Sequence, residues 1–178
     1  MFSKVPQRSM SRRRLATLRK PQRSILKRLA SDAVVSGSAA SLASAAALMA
    51  CSAIHEGSAA GGLNGPSQWL WGEAEAYTRE ATLRHTAAGY VIHHSTSIFW
   101  AVLHESIFGG SRRRKPALQH CAEAVVSAGT AYVVDYHLTP RRFRPGFEKH
   151  VSPKGMVAVY AAFAAGLAIT AIARDRRR

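Results

Sequence analysis

Four long stretches with few or no charged residues constrain this chain more than any other feature. They cover residues 33–54, 86–108, 117–138 and 155–173, and the last of them contains neither a charge nor a proline. A helix of roughly 20 apolar residues is long enough to cross the hydrocarbon core of a bilayer. We therefore predict an all-α fold, a polytopic membrane protein with about four transmembrane helices in a bundle.

The basic residues lie mainly outside these stretches. The 178 residues include 25 Lys and Arg against 10 Asp and Glu, which gives a formal net charge of +15. Ten of the 25 fall in residues 1–30, which we predict to be a basic cytoplasmic arm, partly disordered. Residues 31–173 then form the membrane domain, and residues 174–178 form a basic tail.

The basic arm predicts an anionic partner. Anionic lipid headgroups attract basic segments next to a membrane by about 1 kcal/mol per Lys or Arg. Nucleic acid is the rival partner, and we consider it unlikely because the arm has Phe2 as its single aromatic residue and lacks stacking groups. We expect the bilayer and its anionic headgroups to be the partners of this chain.

The distribution of Lys and Arg predicts the orientation, because cytoplasmic segments carry the excess. Four spans with both termini in the cytoplasm place 18 basic residues inside and seven outside. If the first stretch did not cross, the counts would be 17 and eight. We favour four spans in a bacterial inner membrane. This choice puts the basic loop 139–154 on the outer face.

Two other interpretations of the apolar stretches remain open. A water-soluble helical bundle with buried helices is one. Cleavage of an export signal is the other, since residues 11–16 (SRRRLA) resemble a twin-arginine signal and residues 48–51 (LMAC) resemble a lipoprotein box. The arginines lie well ahead of the apolar run, which argues against cleavage. The cysteines, Cys51 and Cys121, form no C-x-x-C pair and are interpreted as packing residues.

One connection is predicted to contain a helix at the membrane interface. Residues 66–84 begin with a proline, which suits the first turn of a helix. Trp69, Trp71 and Tyr77 follow, and amphipathic rings of this kind favour the headgroup region. We therefore predict an interfacial helix over residues 66–84.

Ionisable residues inside the predicted spans form stripes. His93 and His104 are eleven positions apart, which places them within about 20° on a helix, and His94 and Glu105 have the same spacing. Such groups are costly in hydrocarbon and usually face the bundle interior. We predict a polar seam between the helices, with these members: His93, His94, His55, Asp135 and His137.

A candidate metal site follows from the hairpin between the second and third spans. Counting outward from the turn near Arg112 places His104 and Glu105 beside His120 and Glu123. Imidazole and carboxylate groups bind iron, manganese or zinc. The order His120-x-x-Glu123 is the reverse of the di-iron pattern. A b-type haem held by His104 and His120 is a further alternative, and hydrogen bonding without any cofactor is the interpretation that we favour.

These observations predict a small integral membrane protein with a non-enzymatic accessory or interaction role. One alternative is a metal- or haem-binding redox protein that uses the His/Glu cluster, and another is a small transporter or proton pathway. Small residues four positions apart, such as Gly37 and Ser41, predict close helix packing. That packing suits a compact bundle, a homo-oligomer or a membrane protein partner.

Overall fold

The computed structural model describes residues 12–110 and 113–177, with side chains from residue 24 onward. Over these residues the chain is all-helical and has no β-strand, which confirms the all-α part of the predicted fold class. The α-helices are α1 (Arg12–Glu56), α2 (Ala59–Asn64), α3 (Gln68–Trp71), α4 (Ala88–Phe108), α5 (Ala117–Val133) and α6 (Pro153–Arg176).

Shorter helical turns join these helices. A π-helical turn, Leu83–Ala87, leads into α4, and a second, Val134–Leu138, extends α5. Ser152 caps α6 by accepting a hydrogen bond from the amide of Gly155, and Pro153 occupies its first turn. The 3₁₀ turns are Gly65–Ser67, Glu73–Tyr77, Arg141–Phe143 and Phe147–Lys149.

The long helices α1, α4, α5 and α6 form a bundle with one open side. Helix α1 packs extensively against both α4 and α6, and α5 packs against α6. By contrast, α4 and α5 contact each other little, although they are consecutive in the sequence. The order around the bundle is therefore α4, α1, α6, α5. The side of the bundle between α5 and α4 is left open.

Two of the long helices have the length and apolar composition needed to cross a membrane. They are α6 and the part of α1 that runs from Ser24 to Glu56. Helix α4 is long enough but carries a polar stripe that includes His93, His94 and Glu105. Helix α5 has 17 residues before its π-helical turn. By length and composition, the structure thus supports two of the four predicted spans.

Small residues let the backbones of α1, α4 and α6 approach closely. A side chain built at Gly37 would place its Cβ atom 2.7 Å from the Cα atom of Ile98. One built at Gly166 would overlap the backbone of Ala40. The face of α1 that meets these helices repeats every three or four positions: Ala33, Ser36, Gly37, Ala40, Ser41, Ser44, Ala45, Leu48 and Ser52.

The prediction of one interfacial helix over residues 66–84 was wrong. The segment is divided into short turns because Gly72 has a positive φ of 110° and ends α3. Residue Thr78 is then extended (φ −63°, ψ 123°), so the chain folds back over the end of the bundle. Residues 57–87 and 139–152 pack together there, and we call these two connections the cap.

The close crossing of α1 and α6 predicts the effect of enlarging Gly166. The substitution Gly166→Leu should lower the free energy of unfolding by about 3 kcal/mol or more, because the helices must separate to accommodate the side chain. Thermal unfolding in detergent measures this loss. Gly129→Leu is the matched control, since a Cβ atom at Gly129 meets nothing within 4 Å. Equal losses in the two variants would contradict the close crossing.

Candidate functional site

The bundle encloses polar side chains beside an apolar core and exposes many large apolar side chains on its outer surface. The buried polar residues of the long helices are Ser36, Ser41, Ser44, Ser52, His93, Ser97, His104, Glu105, His120, Ser127 and Asp175. The exposed large apolar residues of the same helices include Val34, Val35, Leu42, Met49, Ile54, Val91, Phe99, Val102, Leu103, Ile107, Leu118, Val125, Val126, Val133, Val157 and Ile169. An exposed apolar surface of this extent marks contact with lipid or with another protein.

The structure places the predicted seam residues in three different environments. His93 is 6% exposed and lies inside the bundle, and Asp135 is half-buried beside Tyr160. Adjacent residues of a helix point about 100° apart, so His94 cannot face the interior in the same direction as His93. It is half-buried against the ring of Tyr90.

Two members of the predicted seam lie on the outside of the bundle. His55 is exposed because its neighbour Glu56 takes the position that faces inward. His137 is also exposed, with its ring against Tyr132. The seam as predicted therefore included two residues that do not face the interior.

The four residues of the candidate metal site lie together at the end of the bundle where α1 begins and α6 ends. His104, Glu105, His120 and Glu123 line one small cavity with Lys115, Arg174 and Asp175, and we call these seven residues the tail-side cluster. The hairpin register predicted this proximity between α4 and α5. It did not predict the contribution of α6.

Each acid of the tail-side cluster contacts a basic group. Both carboxylate oxygens of Glu105 accept hydrogen bonds from Nη2 of Arg174, at 2.9 and 2.8 Å. Nζ of Lys115 donates to Oε1 of Glu123 at 2.7 Å. Nε2 of His120 lies 2.9 Å from Oδ2 of Asp175. These contacts join α4 and α5 to α6.

The arrangement of the tail-side cluster does not fit a metal ion. A metal would have to displace Arg174 from Glu105 and Lys115 from Glu123, and both cations would then repel it. Among residues 12–110 and 113–177, no group of three or more His, Cys, Asp or Glu side chains is arranged to hold a metal ion.

The same cluster does not fit a haem between His104 and His120. The cavity between them is about 10 Å³, room for one water molecule at most. Nδ1 of His104 lies 2.8 Å from Oγ of Ser127, whose own proton is donated to the carbonyl of Glu123. His104 therefore donates to Ser127, and both imidazoles are held in hydrogen bonds within the cluster.

A second charged group joins the opposite end of α1 to the cap. Oε2 of Glu56 contacts Nε of Arg79 at 2.8 Å, and Oε1 lies 2.6 Å from Nδ1 of His150. Nε2 of His150 also contacts the carbonyl oxygen of Ala76, which can only accept. The two ring nitrogens of His150 thus link Glu56 of α1 to the backbone of Ala76 in the cap.

Buried polar side chains also hold the two parts of the cap together. Nζ of Lys149 donates to Oε1 of Gln68 at 3.0 Å, and Arg142 donates to the carbonyl oxygen of Gln68. Within the first part, the amide of Asn64 donates to the carbonyl oxygens of Thr78 and Glu80 at 2.7 and 3.0 Å. Sequence reasoning missed these residues, because irregular connections show no periodicity that would mark an inward face.

A cavity with apolar and polar walls lies on the open side of the bundle between α4 and α5, beneath the cap. We call it the α4–α5 cleft, and its volume is about 380 Å³. Pro66, Trp69 and Pro145 of the cap line one end of it. The walls are largely aromatic and aliphatic, with these members among them: Ile92, Phe99, Trp100, Val134, Phe143, Phe147 and Phe163.

Polar groups from three helices converge on this cleft. Nε2 of His93 lies 3.3 Å from the carbonyl oxygen of Ser41 and 3.0 Å from Oγ of Ser44, whose proton is donated to the carbonyl of Ala40. Both partners accept, so His93 carries its proton on Nε2 and keeps Nδ1 as an acceptor. Oδ2 of Asp135 accepts from the hydroxyl of Tyr160 at 2.7 Å.

Comparison of the chain with family models, with curated proteins and with solved structures finds no match. The function therefore has to be inferred from the bundle itself, from its charged clusters and from the α4–α5 cleft.

The pairing of Glu105 with Arg174 predicts a large loss of stability when one partner is changed. Glu105 is 3% exposed, so Glu105→Gln should cost about 3 kcal/mol in the free energy of unfolding by leaving the guanidinium with a weaker partner. Unfolding in detergent measures the change, and Glu80→Gln at an exposed position is the control.

A double substitution separates the pairing from general damage to the core. Replacing both residues, as Glu105→Met with Arg174→Met, should cost less than Glu105→Gln alone, because no buried charge is left unpaired. A double variant that loses as much stability as the sum of the two single variants would contradict the pairing.

Proposed function

We propose that this chain is an integral membrane protein with four spans and a non-enzymatic role, as a membrane component that binds other molecules within the bilayer. The observation that carries the proposal is the distribution of side chains in the bundle: ionisable and hydroxyl groups are enclosed beside an apolar core, and large apolar side chains are exposed on the outer surface. In water, this surface would expose apolar side chains on every long helix. In lipid, the same surface is favourable, and the ionisable groups are sheltered inside.

The distribution extends to the two helices that are less apolar by composition. On α4 the buried positions include His93, His104 and Glu105, whereas Val91, Phe99 and Ile107 are exposed. On α5 the buried positions include His120 and Ser127, and the exposed residues are Leu118, Val125, Val126 and Val133. Three of the four His and Glu residues of α4, namely His93, His104 and Glu105, are thus shielded from the lipid in the proposed arrangement.

The proposed orientation has both termini in the cytoplasm. Arg174 near the end of α6 contacts Asp32 near the start of the bundle part of α1 at 3.4 Å, so the two ends lie on one side. The basic loop 139–154 then lies on the outer side. Three of its cations are engaged within the cap: Arg142 and Lys149 contact Gln68, and Arg144 donates to the carbonyl of Thr139 at 3.3 Å.

The proposed partner of the basic arm is an anionic lipid surface. Ile25 and Leu26 are 63% and 62% exposed on α1, directly before Lys27 and Arg28. Apolar side chains beside basic ones are typical of helices that contact headgroups. The charge of the arm adds an electrostatic attraction to the anionic cytoplasmic leaflet.

The alternatives from the sequence receive less support from the geometry. A metal or haem would have to replace the contacts of the tail-side cluster, as described above. A proton or ion pathway would need a continuous polar route, but the tail-side cavity is about 10 Å³ and is bounded by ion pairs. A binding role requires no such route.

A topology experiment tests the four-span proposal. Reporter domains fused after residues 80 and 145 should report the outer side. Those fused after residue 114 and at the C-terminus should report the cytoplasm. The matched fusion after residue 30 should report the cytoplasm. Alkaline extraction of the untagged chain should leave it in the membrane pellet.

Two results would overturn the proposal. If the fusions after residues 80 and 114 report the same side, α4 does not cross. If the untagged chain is recovered in the aqueous fraction without detergent, the apolar surface does not face lipid.

A further inference from the structure

The α4–α5 cleft combines the features of a ligand site. Its volume of about 380 Å³ falls within the range of small-molecule pockets, and its walls are mainly apolar with a few convergent polar groups. The helices that form its sides, α4 and α5, contact each other little, whereas the cap covers its end. In the proposed membrane arrangement, the cleft therefore opens sideways to the hydrocarbon.

The polar groups in the cleft are mainly acceptors. His93 keeps Nδ1 as an acceptor, because Nε2 donates to Ser41 and Ser44. Asp135 accepts from Tyr160 through Oδ2, and Trp100 is a second donor to its carboxylate. The two carboxylate oxygens together offer about four acceptor positions, so Asp135 can accept from a further donor. The hydroxyls of Thr96 and Ser97 both donate to the carbonyl oxygen of His93. A head group suited to this set must supply hydrogen-bond donors.

We propose that the α4–α5 cleft binds one neutral amphiphile of the bilayer, with a hydroxylated head beside His93 and Asp135 and a slender apolar chain along the aromatic wall. This inference rests on the proposed membrane location. An anionic head is disfavoured, because its oxygens are acceptors and would face two further acceptors, the carboxylate of Asp135 and Nδ1 of His93. The apolar chain of the ligand suits the exposed edge of the cleft, where Phe99 and Phe143 are 56% and 49% exposed.

Tryptophan fluorescence provides the readout. Two of the three tryptophans, Trp69 and Trp100, line the cleft, and a Trp71→Phe background removes the signal of the third. The protein is placed in phosphatidylcholine nanodiscs and titrated with a fatty alcohol brominated at its chain end, since bromine quenches tryptophan on contact. The alcohol should quench in a saturable manner and compete with its unbrominated form. The matching brominated alkyl sulfate, which has a permanent negative charge, should bind roughly tenfold more weakly.

Two variants on α4 test the position of the ligand. Thr96 lines the cleft, so Thr96→Phe should fill it and weaken binding of the alcohol about tenfold or more. The control Ser95→Phe places the same ring at the neighbouring exposed position and should leave binding unchanged. Asp135→Asn, which removes the charge, should reduce the preference for the alcohol over the sulfate.

The outcomes separate this inference from the proposed function. A chain that does not enter nanodiscs contradicts the membrane location itself. A second outcome contradicts the cleft site alone. In it, the protein enters nanodiscs, but quenching rises linearly with the probe concentration and is equal in the Thr96→Phe and Ser95→Phe variants. Equal binding of alcohol and sulfate contradicts the recognition of a hydroxylated head. Thermal unfolding of each variant in nanodiscs confirms that it is folded before its binding is compared.

Discussion

Pairing of ionisable side chains between helices is the constraint on which this bundle depends. An unpaired charge in a low-dielectric interior costs several kcal/mol, so each one must meet its partner when the helices pack. Arg174 meets Glu105 of α4 and Asp32 of α1, and Asp175 meets His120 of α5. One turn of α6 thus fixes the other three long helices at this end. At the opposite end, the pairing of Glu56 with His150 and Arg79 fixes the cap on α1.

Because charged side chains hold the helices together at both ends of the bundle, the gap between α4 and α5 is confined to its middle. Small residues bring α1 into close contact with α4 and α6, and no comparable contact joins α4 to α5. The cleft lies at this position, with His93 on one wall and Asp135 on the other. A bundle with firmly paired ends and few contacts between α4 and α5 in its middle is suited to a site that a ligand enters from the side.

The features that could be predicted from the sequence are those with helical periodicity. The apolar stretches predicted the positions of the long helices to within a few residues, except that α1 begins earlier and α5 finishes as a π-helical turn. The spacing of His104 and Glu105 with respect to His120 and Glu123 predicted that these side chains meet, because a short hairpin fixes the register of two antiparallel helices. The partners Arg174 and Asp175 were assigned to the basic tail, residues 174–178.

The remaining features depend on contacts between distant parts of the chain. His150 and Gln68 lie in irregular segments, where only the folded cap determines which side chains are buried. His55 was expected inside because it continues the stripe of small and polar residues on the first span, but a rotation of about 100° per residue gives the inward position to Glu56 instead. The interfacial helix was predicted from its aromatic residues and proline, and the positive φ of Gly72 prevents it.

The position of Arg174 and Asp175 in the last turn of α6 has a consequence for biosynthesis. A ribosome makes the chain from its N-terminus, so α1, α4 and α5 are complete before the last turn of α6 emerges. Until then, Glu105 and His120 lack the partners that they have in the finished bundle. The last turn of α6 therefore closes the assembly after the other long helices have been made, and a nascent chain that stalls before this turn leaves Glu105 without Arg174 and His120 without Asp175.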